Sequence, residues 1–207
     1  MRFVKWVFWA VIWLFIAAFF HYTLPQHDIA RVTDTFEKRV DFGENSIFWA
    51  QADTGSATGA VNRDVFFIQT MRANGRPMVY RNEDTGWGWP PYFKFDTSNL
   101  QAEAADLRST SEAPKWVSIT HYGWRNEFMS IFPNAVGVKR VEGPDVTIIP
   151  WLNIIILTLF AAVVWALRVR WIRFRERRID PLVEDAGDSW DQGRGRMSRW
   201  LGSWRRK

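Results

Sequence analysis

The stretch VTIIPWLNIIILTLFAAVVWAL, from Val146 to Leu167, contains no charged residue. A helix needs ~20 apolar residues to cross the hydrocarbon core of a bilayer, and this stretch is long enough. Trp151 and Trp165 lie near its two ends, where aromatic anchors meet the membrane surface. Asn153, its one strongly polar residue, lies near the start, where lipid headgroups or another helix would satisfy the amide. The pattern predicts a transmembrane helix over residues 149–168.

A second apolar run, WVFWAVIWLFIAAFF, extends from Trp6 to Phe20. Residues 22–24 continue it past His21, which gives a span of about nineteen residues. Arg2 and Lys5 precede it, as basic residues precede both membrane anchors and secretory signals. The residues that follow it lack the small-x-small pattern of a cleavage site, and Pro25 ends the helix. We therefore expect an uncleaved signal anchor over residues 1–24, with a cleaved signal as the alternative.

The distribution of charge predicts the orientation of these two spans. Residues 1–24 hold two basic residues and no acid, net +2, whereas residues 25–148 hold thirteen basic and sixteen acidic residues, net −3. Residues 149–207 hold twelve basic and six acidic residues, net +6, with six arginines between Arg168 and Arg178. Because basic loops stay in the cytoplasm, both termini are expected there and residues 25–148 outside. In a bacterium this describes an inner-membrane protein with a periplasmic loop.

The composition excludes several classes of function. The 207 residues include no Cys, which excludes disulfides, thiolate metal sites and a cysteine nucleophile, and the three His give little material for a metal cluster. The sequence pI is near 9.8, but the excess of basic residues lies beside the two predicted spans, where it sets their orientation. It is therefore weak evidence for nucleic-acid binding, and we expect no nucleic-acid partner. No metal and no cofactor are expected. The sequence also lacks phosphate-binding, zinc-protease and serine-nucleophile motifs.

The loop between the spans has the pattern of a folded domain. Asn74-Gly75 separates two β-rich runs, which is typical of a hairpin. The strand patterns lie at 31–37, 65–71, 78–80, 116–121 and 128–141, the last interrupted by Pro133-Asn134. A helix pattern with Ser98 as N-cap lies at 98–108. Leu100, Ala104 and Leu107 share one helix face. We predict a membrane-anchored α+β chain in which two transmembrane helices flank a small, mostly β periplasmic domain over 25–148. This order fits an OB-like five-stranded barrel, and an α+β sheet with one covering helix is the alternative.

The most unusual stretch is YRNEDTGWGWPPYFKFD, from Tyr80 to Asp96. Exposed indoles beside charged groups suit a sugar ring or a protein partner. The candidate binding residues here are Arg81, Glu83, Asp84, Trp87 and Trp89. The alternatives are a turn whose aromatics fill the core and a pair of Trp that faces the membrane interface.

The carboxylates of this stretch do not suggest catalysis. Glu83 and Asp84 are adjacent, so on a strand they point to opposite faces and would not act as an acid–base pair. Arg81 and Glu83 share a face and would form an ordinary ion pair.

The sequence HYGWR adds two candidate residues, His121 and Arg125. They would meet an anion or Glu127 across a turn at Gly123, or His121 is an ordinary structural residue. His27 and Asp28 would join His121 in a metal site, but their spacing does not specify one. No residue is assigned a catalytic role.

The segment 169–207 is predicted to be a basic cytoplasmic tail. Over residues 190–206 the apolar and basic side chains separate on a helical wheel. This predicts an amphipathic helix on the anionic inner leaflet, with an acidic cytoplasmic partner, RNA or a disordered tail as alternatives. The membrane-surface candidates are Trp190, Arg196, Arg199, Trp200, Trp204 and Arg206.

Four segments carry a resemblance to a known family: YRNEDTGWGWPPYFKFD, NLQAEA from Asn99, THYGWR from Thr120 and FPNAV from Phe132. They resemble an alphaproteobacterial inner-membrane family described only as a domain of unknown function. The resemblance covers the first span to about Val141, and the tail beyond Leu167 is unmatched. It implies a bacterial, membrane-attached protein with no assigned activity, cofactor or catalytic residue.

Three functions remain open at this point. The first is a non-enzymatic accessory or assembly subunit that docks on a membrane or envelope partner. The second is a periplasmic ligand-binding or sensing domain for an envelope glycan or an anion. A hydrolase is the third, but it needs a water-activating group that the sequence does not reveal.

Overall fold

The computed structural model describes residues 2–41 and 62–182. It contains a helix α1 (Arg2–Thr23), strands β1 (Gln26–Asp41), β2 (Asn62–Arg72) and β3 (Pro77–Asn82), a helix α2 (Thr97–Asp106), strands β4 (Trp116–Tyr122) and β5 (Asn134–Arg140), and a helix α3 (Trp151–Phe174). The chain divides into two units, Met1–Asn153 and Ile154–Lys207. The predicted amphipathic helix at 190–206 lies outside the described residues.

The five strands close into a barrel in the order β1-β2-β3-β5-β4. All neighbours pair antiparallel except β3 and β5, which meet in parallel through Arg81 and Asn134. With α2 inserted between β3 and β4, this is the arrangement of an OB-like barrel. The prediction of a five-stranded barrel between two apolar helices is therefore confirmed.

The barrel interior is filled by side chains that alternate along the strands. Leu100 and Ala104 of α2 complete this core and Leu107 packs against it, which confirms the predicted helix face. The core residues of the strands are Val32, Ile68, Met78, Tyr80, Val117, Ile119, Ala135 and Val138. The prediction of Ser98 as the N-cap of this helix was wrong, because the N-cap is Asp96, two residues earlier. The carboxylate of Asp96 accepts a hydrogen bond from the Asn99 amide at 3.0 Å and caps the first turn instead.

The β2–β3 hairpin confirms the Asn-Gly turn, since Gly75 adopts a φ of +75°, which favours glycine. The prediction of a strand from residue 128 was wrong, because β5 begins at Asn134. Residues 126–131 instead form a short loop hairpin in which Ser130 has a φ of +52°. Pro133 then precedes β5 and has no N–H for a ladder bond.

Both terminal helices are long and apolar enough to cross a membrane, by length and composition. The first such segment is Phe3–Thr23, close to the predicted anchor. The second begins at Trp151 and continues to Leu182, well past the predicted end at residue 168. Its last part includes a π-helical turn over Arg175–Ile179, so the arginine run continues the helix.

Candidate functional site

The end of α1 is bonded to the barrel. A helix leaves its last four carbonyls without partners inside the helix, and here those of residues 20–23 all accept hydrogen bonds. The Phe20 carbonyl accepts from the Leu24 amide at 2.8 Å, and the His21 carbonyl accepts from the Gln26 side-chain amide at 2.7 Å. The Tyr22 carbonyl accepts from the Gly123 amide at 2.9 Å, and the Thr23 carbonyl accepts from the Tyr92 hydroxyl at 2.6 Å. Two of the four donors come from loops far along the chain. The barrel and the helix are therefore joined by more than the two residues between them.

An aromatic cluster packs around this junction. The rings of Tyr92 and Tyr122 stack with centroids 4.8 Å apart, and Tyr22 of α1 meets Tyr122 edge-on at 6.3 Å. Trp124 packs edge-on against Tyr22 at 5.3 Å and donates its indole N–H to Nδ1 of His21 at 3.0 Å. Burial raises the pKa of Tyr92 and of Tyr122, so both remain neutral phenols.

The two candidate tryptophans, Trp87 and Trp89, contact different parts of the molecule. Trp89 stacks on Phe19 of α1 at 5.6 Å, whereas Trp87 meets Phe93 and Phe95 edge-on at 5.4 and 5.6 Å. Trp87 is 80% exposed and Trp89 67% exposed. Neither indole fills the core of the barrel, so the core-filling interpretation does not apply to them.

Arg81 and Glu83 form the ion pair that their spacing predicts. Their guanidinium and carboxylate approach to 2.9 Å, and the side chains are only 3% and 6% exposed. Asp84, the next residue, is exposed as a whole, but partial desolvation of its carboxyl group and the nearby Asp96 charge raise its pKa despite the nearby Lys94. Glu83 and Asp84 thus lie in different environments and form no acid–base pair.

The junction between β3 and β5 is completed by side chains. The Asn134 amide oxygen accepts the Glu83 N–H at 2.9 Å, and its NH₂ group donates to the Glu83 carbonyl at 3.0 Å. The Lys94 ammonium donates to the Ala135 carbonyl at 2.9 Å, to the Glu83 carbonyl at 3.2 Å and to the Asn82 side-chain oxygen. Asn134 and Lys94 thus replace ladder bonds where the two strands share a single backbone pair.

Inside the barrel, a polar cluster forms around Asp28. One carboxylate oxygen accepts hydrogen bonds from Arg72 at 2.5 Å, from the Tyr80 hydroxyl and from Nε2 of His121 at 3.1 Å. Burial alone would raise the pKa of Asp28, but these three donors outweigh it and hold the pKa well below its usual range. The carboxylate is therefore a fixed anion that joins four strands.

The structure does not bring together the other residue pairs that the sequence suggested. Arg125 lies with its guanidinium 4.4 Å from the Phe132 ring centre and donates to the Ile131 carbonyl at 2.9 Å, away from His121 in the barrel. His27 contacts Thr120 through Nδ1 at 3.1 Å rather than joining Asp28. Among the residues that the structure describes, no three His, Cys, Asp or Glu are grouped to hold a metal ion.

The amino-acid sequence matches, over residues 1–175, a family described as "Protein of unknown function (DUF1523)". The chain belongs to the DUF1523 family. It is 37% identical over 170 residues to an uncharacterized protein of Haemophilus influenzae, covering 78% of this chain and 92% of that protein. No solved structure matches the chain. The DUF1523 match extends beyond Val141 to the start of the π-helical turn, so the family comprises the barrel and both apolar helices.

Several residues of the DUF1523 barrel that hold its polar clusters were missed by sequence reasoning. Arg72 and Tyr80 lie in strands and carry no motif, and Asn134 follows a proline in what looks like an ordinary turn. A signal existed only for Lys94, a lone basic residue among aromatics. The register of distant strands brings these side chains together, and a single sequence does not give that register.

Lys94 should make the stability of the domain depend on pH. Burial lowers the pKa of Lys94 to about 7 from its usual 10.5. The unfolded chain therefore binds this proton over a window in which the folded chain has released it. The free energy of unfolding should rise from pH 7 toward pH 9.5, by up to about 1.4 kcal/mol per pH unit.

Urea unfolding of the full chain in mild detergent, repeated across this range, measures the slope. Lys94→Met should abolish it, whereas Lys115→Met, which removes a more exposed ammonium, should retain it. A slope that survives in Lys94→Met would assign the titration to another group.

Proposed function

We propose that this protein is a non-enzymatic accessory subunit of the bacterial inner membrane that docks on a membrane or envelope protein. The observation that carries the proposal is the bonded junction between α1 and the barrel. Because four carbonyls of the helix end are held, two of them by distant loops, the barrel has a defined orientation relative to its anchor. The charge distribution supports cytoplasmic termini and a periplasmic barrel.

The docking surface in this proposal is the aromatic patch formed by Trp87, Phe93 and Phe95. The Trp87 ring contacts both phenylalanine rings, and all three side chains are more than half exposed. Large aromatic side chains on a surface are typical of binding hot spots, where they bury much area at low entropic cost. Asp84 and Asp96 lie in the same loop and supply a polar rim.

The polar clusters support a non-enzymatic role. The Arg81–Glu83 pair is buried, Asp28 accepts three hydrogen bonds, and Lys94 donates to three oxygens. A catalytic group needs access to a substrate and a pKa matched to its task. These groups instead connect strands to one another.

Mass spectrometry of proteins that co-purify with the tagged full chain in mild detergent tests the proposal. We expect a stoichiometric membrane or periplasmic partner, reduced at least roughly tenfold by Trp87→Ala, since a hot-spot truncation costs ~2 kcal/mol or more. The melting temperature of that variant should stay close to wild type, because the indole is exposed.

Phe128→Ala is the matched control, because it removes another exposed ring outside the aromatic patch. It should retain the partner. A chain that purifies alone would contradict the docking role and favour binding of an envelope glycan or an anion. Unfolding of Trp87→Ala would show that the patch is structural.

A further inference from the structure

The loop between β4 and β5 is an ordered hairpin with an aromatic tip. Asn126 and Ile131 exchange two backbone hydrogen bonds, at 3.1 and 2.9 Å, and the Ser130 amide donates to the Glu127 carbonyl at 3.2 Å. This turn places Phe128 and Met129 at its end. Phe128 is 99% exposed. A defined turn that holds a fully exposed phenylalanine points to a ligand for that ring.

Strand direction places this loop beside the end of α1. β1 begins three residues after α1 and leads away from it. β4 runs antiparallel to β1, pairing Trp116 with Arg31 and His121 with Gln26, so it returns to the helix end. The Gly123 amide, the first group after β4, donates to the Tyr22 carbonyl of α1.

Two tryptophans also contact the end of α1. Trp89 stacks on Phe19, which lies four residues before the end of the apolar segment Phe3–Thr23, about 6 Å along the helix axis. Trp124 donates its indole N–H to His21 in the last turn of α1. Indole side chains favour the boundary between hydrocarbon and headgroups. Their positions are those expected where α1 leaves a bilayer.

We propose that the β4–β5 loop inserts Phe128 and Met129 into the phospholipid leaflet at which α1 ends, with Trp89 and Trp124 as flanking interface anchors. This rests on the membrane placement in the proposed function. The apolar surface of α1 continues onto the barrel through the Phe19–Trp89 stack, which favours lipid as the occupant. The one cation of the loop, Arg125, is turned inward onto Phe132. The apolar side chains at the tip are those of Phe128 and Met129, and the exposed Glu127 and Ser130 on either side of them would lie among the headgroups.

The absence of cysteine makes this insertion directly measurable. The variant Phe128→Cys is labelled with a bimane, and the purified full chain is reconstituted into phosphatidylcholine–phosphatidylglycerol vesicles. Quenching by brominated lipids reports hydrocarbon, and quenching by iodide reports water. The matched control is Ser111→Cys, which is exposed in the segment before β4. This segment is bonded to the far part of β1, since the amide of Ser109 donates to the Val32 carbonyl, about 20 Å along the strand from Gln26.

We expect at least threefold stronger bromolipid quenching at position 128 than at position 111, with the reverse order for iodide. Met129→Cys should repeat the result and guards against a local effect of losing the Phe128 ring. Equal iodide quenching at positions 128, 129 and 111 would overturn the proposal.

A label at Phe15→Cys, within α1, separates the two proposals. Bromolipid quenching at position 15 without quenching at position 128 would reject loop insertion and retain the membrane anchor. No bromolipid quenching at either position would reject both.

Discussion

Replacing Arg81 by Met is expected to lower the free energy of unfolding by about 3–5 kcal/mol, the usual cost of removing one member of a buried ion pair. The Glu83 carboxylate is 6% exposed and contacts the Arg81 guanidinium at 2.9 Å. Methionine fills much of the volume of the arginine stem but supplies no charge and no donor. Urea unfolding of the full chain in mild detergent, followed by tryptophan fluorescence, measures the loss.

The double variant Arg81→Met/Glu83→Met is the control that separates charge from packing. It removes both charges, so it should recover most of the stability lost in the single variant. The ion pair between Arg108 and Asp34, at 3.1 Å, is about half exposed on both sides, and Arg108→Met should have little effect. A double variant as unstable as Arg81→Met would show that the change of shape, rather than the loss of the opposite charge, causes the loss of stability.

Asn134→Ala is expected to cost about 2–5 kcal/mol. Asn134 is fully buried, and its amide bonds both the N–H and the carbonyl of Glu83. Alanine removes the acceptor of the Glu83 N–H and one of the donors to the Glu83 carbonyl, which keeps the 3.2 Å bond from Lys94. A buried polar group that loses its partner costs about 1–3 kcal/mol, and each further hydrogen bond that is lost costs about 0.5–1.5 kcal/mol. Urea unfolding measures the total, and hydrogen exchange should show faster exchange of the Glu83 amide.

Asn99→Ala is the matched control, since this asparagine is exposed on α2 and its side chain donates to the carboxylate of Asp96, which caps the helix. It should leave exchange at Glu83 unchanged. If the urea concentration at the midpoint of unfolding is the same for Asn134→Ala as for the wild type, the β3–β5 junction does not depend on the Asn134 amide.

The barrel could be predicted because its signals are local. Alternating residues marked the strands, Asn74-Gly75 marked the β2–β3 turn, and the spacing of Leu100 and Ala104 marked the inner face of α2. The false strand at 128–133 arose from the same alternation. Phe128 and Met129 look like strand residues, but the turn between Asn126 and Ile131 and the proline at 133 exclude them from the ladder.

The candidate site was predictable only where its residues are close in sequence. Arg81 lies in β3 and Glu83 directly follows its last residue, so the two are two apart in extended chain and their pairing follows from the strand period. Asp28 and His121 were considered together as metal ligands, whereas the structure pairs them through a hydrogen bond and adds Arg72 and Tyr80. That cluster depends on the closure of the barrel, which brings β1 against both β2 and β4.

The capped end of α1 has a practical consequence for dividing the protein. A soluble fragment that starts at Gln26 would retain every strand, yet the Gly123 amide and the Tyr92 hydroxyl would lose their acceptors, and Tyr122 and Trp124 would lose the Tyr22 ring. A fragment that starts at Phe19 would retain these contacts, and only the last, short turn of the apolar helix α1 would remain in it. The natural boundary of the barrel therefore lies inside the helix, one turn before the helix ends.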